Sequence, residues 1–238
     1  MKLLNLLLIM ISNIFLIFKA ILFWLNLFIS VILIGPIAFL FGLFSYKACL
    51  SISKLWCKYN LFFLKRVCSL SYDYSGPKLD SYKIVISNHQ SAWETIYLAA
   101  YAHNPIFILK KELLMIPIFG WCLYLLNNIS IDRSDGASSL KKIMKSCSSH
   151  IIKNKTIIIF PEGTRLLYGS KSQIKKGVLK ILESLKLNSL LLCHDAGRYW
   201  QKSSYIIRPG VIKINATSLE YNSDTDLLKK NIEKHFNS

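Results

Sequence analysis

Acidic side chains are scarce in this chain. Thirteen Asp and Glu stand against 30 Lys and Arg, the formal net charge is +17, and no acid precedes Asp73. Charge of either sign is thin, at 18% of residues against 53% apolar, which excludes a mainly disordered chain. The six cysteines, Cys49, Cys57, Cys68, Cys122, Cys147 and Cys193, include no C-x-x-C pair. Their spacing suits neither a zinc site nor a small disulfide framework, so buried thiols in a reduced compartment are expected. No internal repeat or low-complexity segment is present, and 238 residues leave room for one domain of ordinary size. An excess of positive charge can serve nucleic acid, an anionic membrane or phosphorylated substrates. No ordered RNA- or DNA-binding motif accompanies it here, and the placement of the apolar residues favours the membrane.

Between Ala20 and Phe44 there is no charged side chain, and residues 3–18 before it are equally apolar, with Lys2 and Lys19 at their borders. About 20 apolar residues suffice to cross a bilayer. The combined run is far longer than a signal-peptide core and lacks a small-residue cleavage site at its end, so an anchoring segment is expected instead. One span and a re-entrant pair of helices both remain open, since Gly35-Pro36 is able to kink the second stretch. Lys47, Lys54, Lys58, Lys65 and Arg66 follow the run. They place the remainder of the chain on the cytoplasmic face of the membrane, the inner membrane in a bacterium. Residues 46–66 alternate these cations with Leu50, Leu55, Trp56 and Phe62, the pattern of a helix lying along anionic headgroups. The chain therefore divides into a membrane-anchoring and interfacial region, 1–70, and a second domain, 71–238.

From about residue 80 short apolar runs alternate with helical patterns. Lys83–Ser87, Ile106–Leu109, Ile129–Asp132, Thr156–Phe160 and Ser189–Cys193 read as buried strands. Helices are expected near 92–101, 118–126, 138–152 and 177–187. Further strands are expected at 205–208 and 211–215, and a closing helix at 224–236 with Asp224 as its cap. This order predicts an α/β fold, a mostly parallel sheet flanked by helices. Chemistry in such sheets gathers at the carboxyl ends of the strands.

Polar clusters stand at three of those ends. After residue 87 comes Asn88-His89-Gln90-Ser91-Ala92-Trp93-Glu94, in which Ser91 and Glu94 have the spacing of a capping box. A helix then starts at Ser91, and His89 in the preceding loop can fold back onto Glu94. Such a pair is a general base held by an orienting acid. A capping box with an incidental histidine is the plainer alternative for these residues taken alone. The second cluster follows residue 160: the string Phe160-Pro161-Glu162-Gly163-Thr164-Arg165 joins a strand end, a tight turn, a hydroxyl and a guanidinium, the makings of an anion site. Lys171, Lys175 and Lys176 add to the local field. The third cluster follows residue 193, in the string Leu191-Leu192-Cys193-His194-Asp195-Ala196-Gly197. Its adjacent Cys193 and His194 point to opposite sheet faces, which disfavours them as a nucleophilic dyad.

NHQSAWE followed by FPEGTR resembles the glycerolipid acyltransferases, in particular the 1-acyl-sn-glycerol-3-phosphate acyltransferases, whose first motif is H-x4-D and whose third is FPEGTR. Lys110-Lys111-Glu112-Leu113, Pro117-Ile118-Phe119-Gly120 and Ile131-Asp132-Arg133 fit the family's intervening block in order, and the resemblance covers about residues 83–210. Two departures stand out. Glu94 replaces the commoner aspartate, and the fourth motif lacks its proline and carries Asp195 where the family has asparagine. The resemblance implies transfer of a fatty acyl group from a coenzyme A or acyl carrier protein thioester to lysophosphatidic acid, with no cofactor and no metal. It implies His89 and Glu94 as the catalytic pair. Arg165, Gly163, Thr164, Glu162, Lys110 and Arg133 become the phosphate-binding set. Another lysolipid acceptor, such as an aminoacyl lysolipid, and a catalytically silent lipid-binding protein are the alternatives. Anionic membrane lipids are expected partners, and nucleic acid is not.

Overall fold

The computed structural model describes residues 2–132 and 136–237. Its N-terminal apolar run forms one helix, α1 (Lys2–Phe44), which continues through Pro36. At 1.5 Å per residue it is roughly 64 Å long, about twice a bilayer core. Residues Met10–Phe44 are long and apolar enough to cross a membrane. Ser45 ends it sharply and caps α2 (Tyr46–Val67), its hydroxyl accepting the Ala48 N–H. The two helices pack as an antiparallel hairpin, with Trp56 Nε1 donating to Ser30 Oγ and Asn26 donating to Asn60. The inner face of α2 is buried through Cys49, Cys57, Asn60, Leu61 and Leu64. Its outer face exposes Leu55, Tyr59 and Phe62 beside Lys58, Lys65 and Arg66.

The sheet has seven strands in the order β1-β7-β6-β2-β5-β3-β4. These are β1 (Leu70–Ser75), β2 (Ile84–Ser87), β3 (Pro105–Lys110), β4 (Ile129–Ile131), β5 (Thr156–Ile159), β6 (Ser189–His194) and β7 (Gly210–Leu219). β6, β2, β5, β3 and β4 run parallel. β7 is antiparallel to β6, and β1 pairs parallel with β7. Ile84 and Ile86 of β2 and Ile157 and Ile159 of β5 face one core, under α5 (Gly136–Ile152), α6 (Lys176–Leu185) and α8 (Thr225–Phe236). Val85 and Ile158 face the other, under α1, α2 and α3 (Trp93–Tyr101). Burial on both faces explains why these strands read as unbroken apolar runs.

Two expectations are corrected. Residues 205–208 are not a strand: Arg208 N–H turns aside to the Tyr199 carbonyl, the Tyr205 carbonyl takes the Trp24 indole, and Pro209 has no N–H to offer a ladder. The helix after β2 starts at Trp93 rather than Ser91. The expected caps are otherwise in place, with Asp224 accepting the N–H groups of Asp226 and Leu227.

Strand direction sets the orientation of α1. Its end at Phe44 lies toward the amino ends of the central strands, where Lys155, just before β5, sits over the Tyr46 ring. Phe23 and Trp24 lie toward the carboxyl ends, edge-on to Trp200 just beyond β6. Between these points Gly35 seats α4 (Phe119–Leu125) against α1. A Cβ on Gly35 would fall 2.2 Å from Ile118 Cγ2. Ile118 itself is held at φ +66, a conformation that a β-branched residue adopts only under constraint. We predict that Gly35→Leu unseats α4 and costs about 1–3 kcal/mol by overpacking, because a β-branched methyl cannot swing aside. A thermal unfolding midpoint in detergent equal to that of the unaltered chain would contradict this.

Candidate active site

The loop leaving β2 folds back over the first turn of α3. His89 Nδ1 lies 2.8 Å from Glu94 Oε1, and the Glu94 side chain is fully buried while His89 stays 16% exposed. Glu94 also accepts the backbone N–H groups of Gln90 and Ser91, each at 2.8 Å to Oε1. Only half of the predicted capping box forms: Glu94 takes the Ser91 N–H, but Ser91 Oγ accepts the Trp93 N–H at 3.2 Å rather than that of Glu94, and Glu94 orients His89 as well. Burial by itself raises the Glu94 pKa. The facing His194 and His89 rings and the Ser91 N–H outweigh it and hold the carboxyl below its ordinary value. With an ionised Glu94 accepting at Nδ1, the His89 proton sits on Nδ1 and Nε2 is left bare as a base.

Phe160 fixes the other dimension of the histidine ring, stacking on it at 4.1 Å with 18° between planes. The backbone then ties the two motifs together, because Leu166 N–H donates to the His89 carbonyl at 2.8 Å. Between Phe160 and Leu166 the chain turns through Gly163 at φ +68, the left-handed region that glycine tolerates best. Thr164 and Arg165 stand exposed on this turn, and Lys110 stands exposed at the end of β3. Glu162 turns inward instead: it is buried, and its Oε1 accepts the Ser172 hydroxyl at 2.8 Å. Arg133 lies outside the described residues. Lys111 pairs loosely with Asp132 at 3.8 Å.

The third cluster, after β6, closes on the first. Asn88 and His194 clasp each other: His194 N–H donates to Asn88 Oδ1 at 3.0 Å, and Asn88 Nδ2 donates to the His194 carbonyl at 2.9 Å. The His194 ring is buried, which lowers its pKa. Its Nε2–H donates to the Asn88 carbonyl at 2.9 Å, and its Nδ1 accepts the Ala196 N–H at 3.3 Å. Those partners assign a neutral ring protonated on Nε2, the opposite tautomer to His89. Next to it Gly197 N–H donates to Gln90 Oε1, where a Cβ would press 2.9 Å from Gln90 Cβ. Burial, then Asp195 and Glu162, push the Cys193 thiol up to about 11, so it is no thiolate at neutral pH. Sequence reasoning missed Asn88, Phe160 and His194. Each sits beside a motif residue, and only the sheet order shows that β2, β5 and β6 are neighbours. Among the described residues no cluster of three His, Cys, Asp or Glu side chains is placed to hold a metal ion. A pocket of about 710 Å³ lined by Tyr82, Lys83, Lys186 and Asn188 lies at the opposite, amino ends of the strands.

A family model described as Acyltransferase matches residues 77–197, just over half of the chain. This chain belongs to the acyltransferase family. It is 34% identical to the 1-acyl-sn-glycerol-3-phosphate acyltransferase of Pseudomonas aeruginosa over 161 residues, which are 67% of this chain and 63% of that protein. It is 30% identical to the Helicobacter pylori protein of the same name over 72% of this chain and 78% of that one. The chain thus spans just under two thirds of the Pseudomonas protein and more of the Helicobacter one. Its fold matches the crystal structure of the 1-acyl-sn-glycerophosphate acyltransferase PlsC from Thermotoga maritima, with a TM-score of 0.76, 21% identity and 94% of both chains covered. A long apolar N-terminal helix in a member of this family marks association with a membrane.

Burial pushes the Glu162 carboxyl up to about 7, beyond what the Ser172 hydroxyl and nearby N–H groups offset. Its unfolded value is 4.5, so between pH 4.5 and 7 the native state alone keeps the proton. Stability from this group is therefore complete below the unfolded value and is lost as pH rises through the folded one. The loss amounts to about 3 kcal/mol. Unfolding of the wild type and Glu162→Gln, compared from pH 5 to 8, should show the wild type losing ground steadily to the variant. Parallel curves would mean that Glu162 is ionised in the folded protein.

Proposed function

We propose that this chain moves a fatty acyl group from a thioester to the free hydroxyl of 1-acyl-sn-glycerol 3-phosphate, forming phosphatidic acid. The observation that carries the proposal is a partly exposed histidine whose Nδ1 is held by a buried carboxylate, beside a turn ending in Thr164 and Arg165. The names of the Pseudomonas and Helicobacter relatives support the choice of acceptor.

His89 Nε2 takes the proton of the acceptor hydroxyl while its oxygen attacks the thioester carbonyl. The tetrahedral intermediate then collapses, the carbon–sulfur bond breaks, and the departing thiolate recovers the proton from the imidazolium. Glu94 stabilises the imidazolium in between. Arg165, together with Gly163, Thr164 and Lys110, binds the acceptor phosphate and so fixes the hydroxyl near His89. Coenzyme A and acyl carrier protein thioesters both suit this chemistry. Residues 1–70 serve as anchor and interfacial region and 71–238 as the transferase domain. The cations after α1 support a cytoplasmic position for that domain.

The test is acyl transfer by purified protein in micelles, crossing both donors with several lysolipids. Lysophosphatidic acid should be the best acceptor. His89→Ala should lose about 10²–10⁴-fold in kcat, the worth of a positioned base, while remaining bound to membrane. Glu94→Gln should lose much of the rate and Glu94→Asp less. Arg165→Lys keeps the charge but not the planar fork, and should lower kcat/KM about tenfold or more on lysophosphatidic acid and far less on an acceptor without a phosphate monoester. Full turnover by folded His89→Ala would falsify the assignment. Equal Arg165→Lys losses on both acceptors would move the arginine away from the phosphate.

A further inference from the structure

Two departures from the family's motifs meet in space. Position 94 carries glutamate where H-x4-D has aspartate, and the altered fourth motif puts His194 at the end of β6, just before α7 (Ala196–Tyr199). The parallel pairing of β2 with β6 sets Ser87 beside Leu192, so the residues that follow both strands lie against each other. His194 Nε2 comes within 3.9 Å of Glu94 Oε2, and both side chains are fully buried.

The two oxygens of Glu94 are unequally served. Oε1 faces three donors, His89 Nδ1 and the Gln90 and Ser91 N–H groups, each at 2.8 Å. Oε2 has only a share of the Ser91 N–H, at 3.1 Å. The next polar edge it faces is the Nε2–H of His194, which donates at 2.9 Å to the Asn88 carbonyl. The last torsion of a glutamate is soft and roughly two-fold, so a carboxylate held by one oxygen can turn in place and weaken the bond to its partner. The His194 ring blocks that turn. It is clasped to Asn88 by its backbone and lies edge-on to Trp93 at 6.1 Å. Of the other charged groups acting on the ring, His89 is engaged by Glu94 and Asp195 by the Lys213 N–H at 2.8 Å. An aspartate at position 94 is one methylene shorter and draws its carboxyl back toward α3, away from His194.

We propose that His194 is a positioning residue for the base, acting through Glu94: its N–H edge fixes the far oxygen of the longer carboxylate, so that the near oxygen stays on His89 Nδ1. The glutamate of the first motif and the histidine of the fourth are then a single device, each effective only with the other. The consequence for rate rests on the transfer proposed above; the hold on the His89 proton does not.

A double-mutant cycle tests the coupling. His194→Leu and His194→Phe keep the position apolar and filled but remove the N–H, while His194→Gln keeps an N–H donor. With Glu94 in place, the Leu and Phe variants should lose about 30-fold in kcat with KM for lysophosphatidic acid unchanged, and the Gln variant should recover most of the rate. In the Glu94→Asp background the same substitutions should cost only about threefold more, a tenfold coupling equivalent to about 1.4 kcal/mol. Equal losses in the two backgrounds would overturn the coupling, as would Leu and Phe variants with unchanged kcat. Proton exchange at His89 Nδ1, followed by NMR of ¹⁵N-histidine in the full chain, needs no turnover. It should speed up severalfold in His194→Leu, and not at all when the same change is made in Glu94→Asp. Unchanged exchange in folded His194→Leu would show that His194 does not hold Glu94. A wild type inactive on every acceptor would count against the transfer and leave the exchange result to decide the positioning.

Discussion

A carboxylate removed from water loses several kcal/mol of hydration unless neighbouring groups replace it. Glu94 is fully buried, and two backbone N–H groups and the His89 ring supply that replacement. The requirement acts in both directions. Glu94 remains ionised only while the loop from Asn88 to Ser91 folds over it, and that loop holds its shape because a buried charge needs its donors. A histidine in an ordinary surface loop would sample several rotamers. Here Glu94 fixes one ring edge and the Phe160 face fixes the ring plane.

The sheet delivers the remaining constraints. β2 lies between β5 and β6, so the segments following all three strands meet at one edge. From β5 come Phe160 and the Leu166 N–H that holds the His89 carbonyl. From β6 comes His194, clasped to Asn88 and lying 3.9 Å from Glu94 Oε2. A charged His194 would place a second cation beside His89 and weaken it as a base; burial keeps the ring neutral. The fourth motif of this chain departs from the family's proline and asparagine, and its histidine takes up a supporting position under the first motif.

Much of this was legible in the sequence because it is local. Apolar runs bounded by turn residues gave β2, β5 and β6, and the capping-box spacing gave the start of α3 to within two residues. The pairing of His89 with Glu94 followed from that start. What local pattern could not show depends on partners distant in the chain. β1, with the polar alternation of Leu70–Ser75, is a strand only because β7 lies beside it, 140 residues away in register. Ile206 and Ile207 look like strand residues, but Ile207 is an anchor buried in the helix-covered core and its neighbours bond elsewhere. His194 resembles a loop histidine until the sheet order sets it against Asn88. Glu162 reads as part of an anion site, yet its side chain turns into the protein toward Ser172.

The two histidines flanking Glu94 carry their protons on opposite nitrogens, leaving His89 with a bare Nε2. Nitrogen NMR of the full chain with ¹⁵N-labelled histidine, assigned with His89→Gln and His194→Gln, measures this directly. At neutral pH His89 should show a protonated Nδ1 coupled to Glu94 and an unprotonated Nε2, while His194 shows the reverse. A His89 protonated on Nε2, with its Nδ1 accepting from a neutral Glu94, would contradict the account.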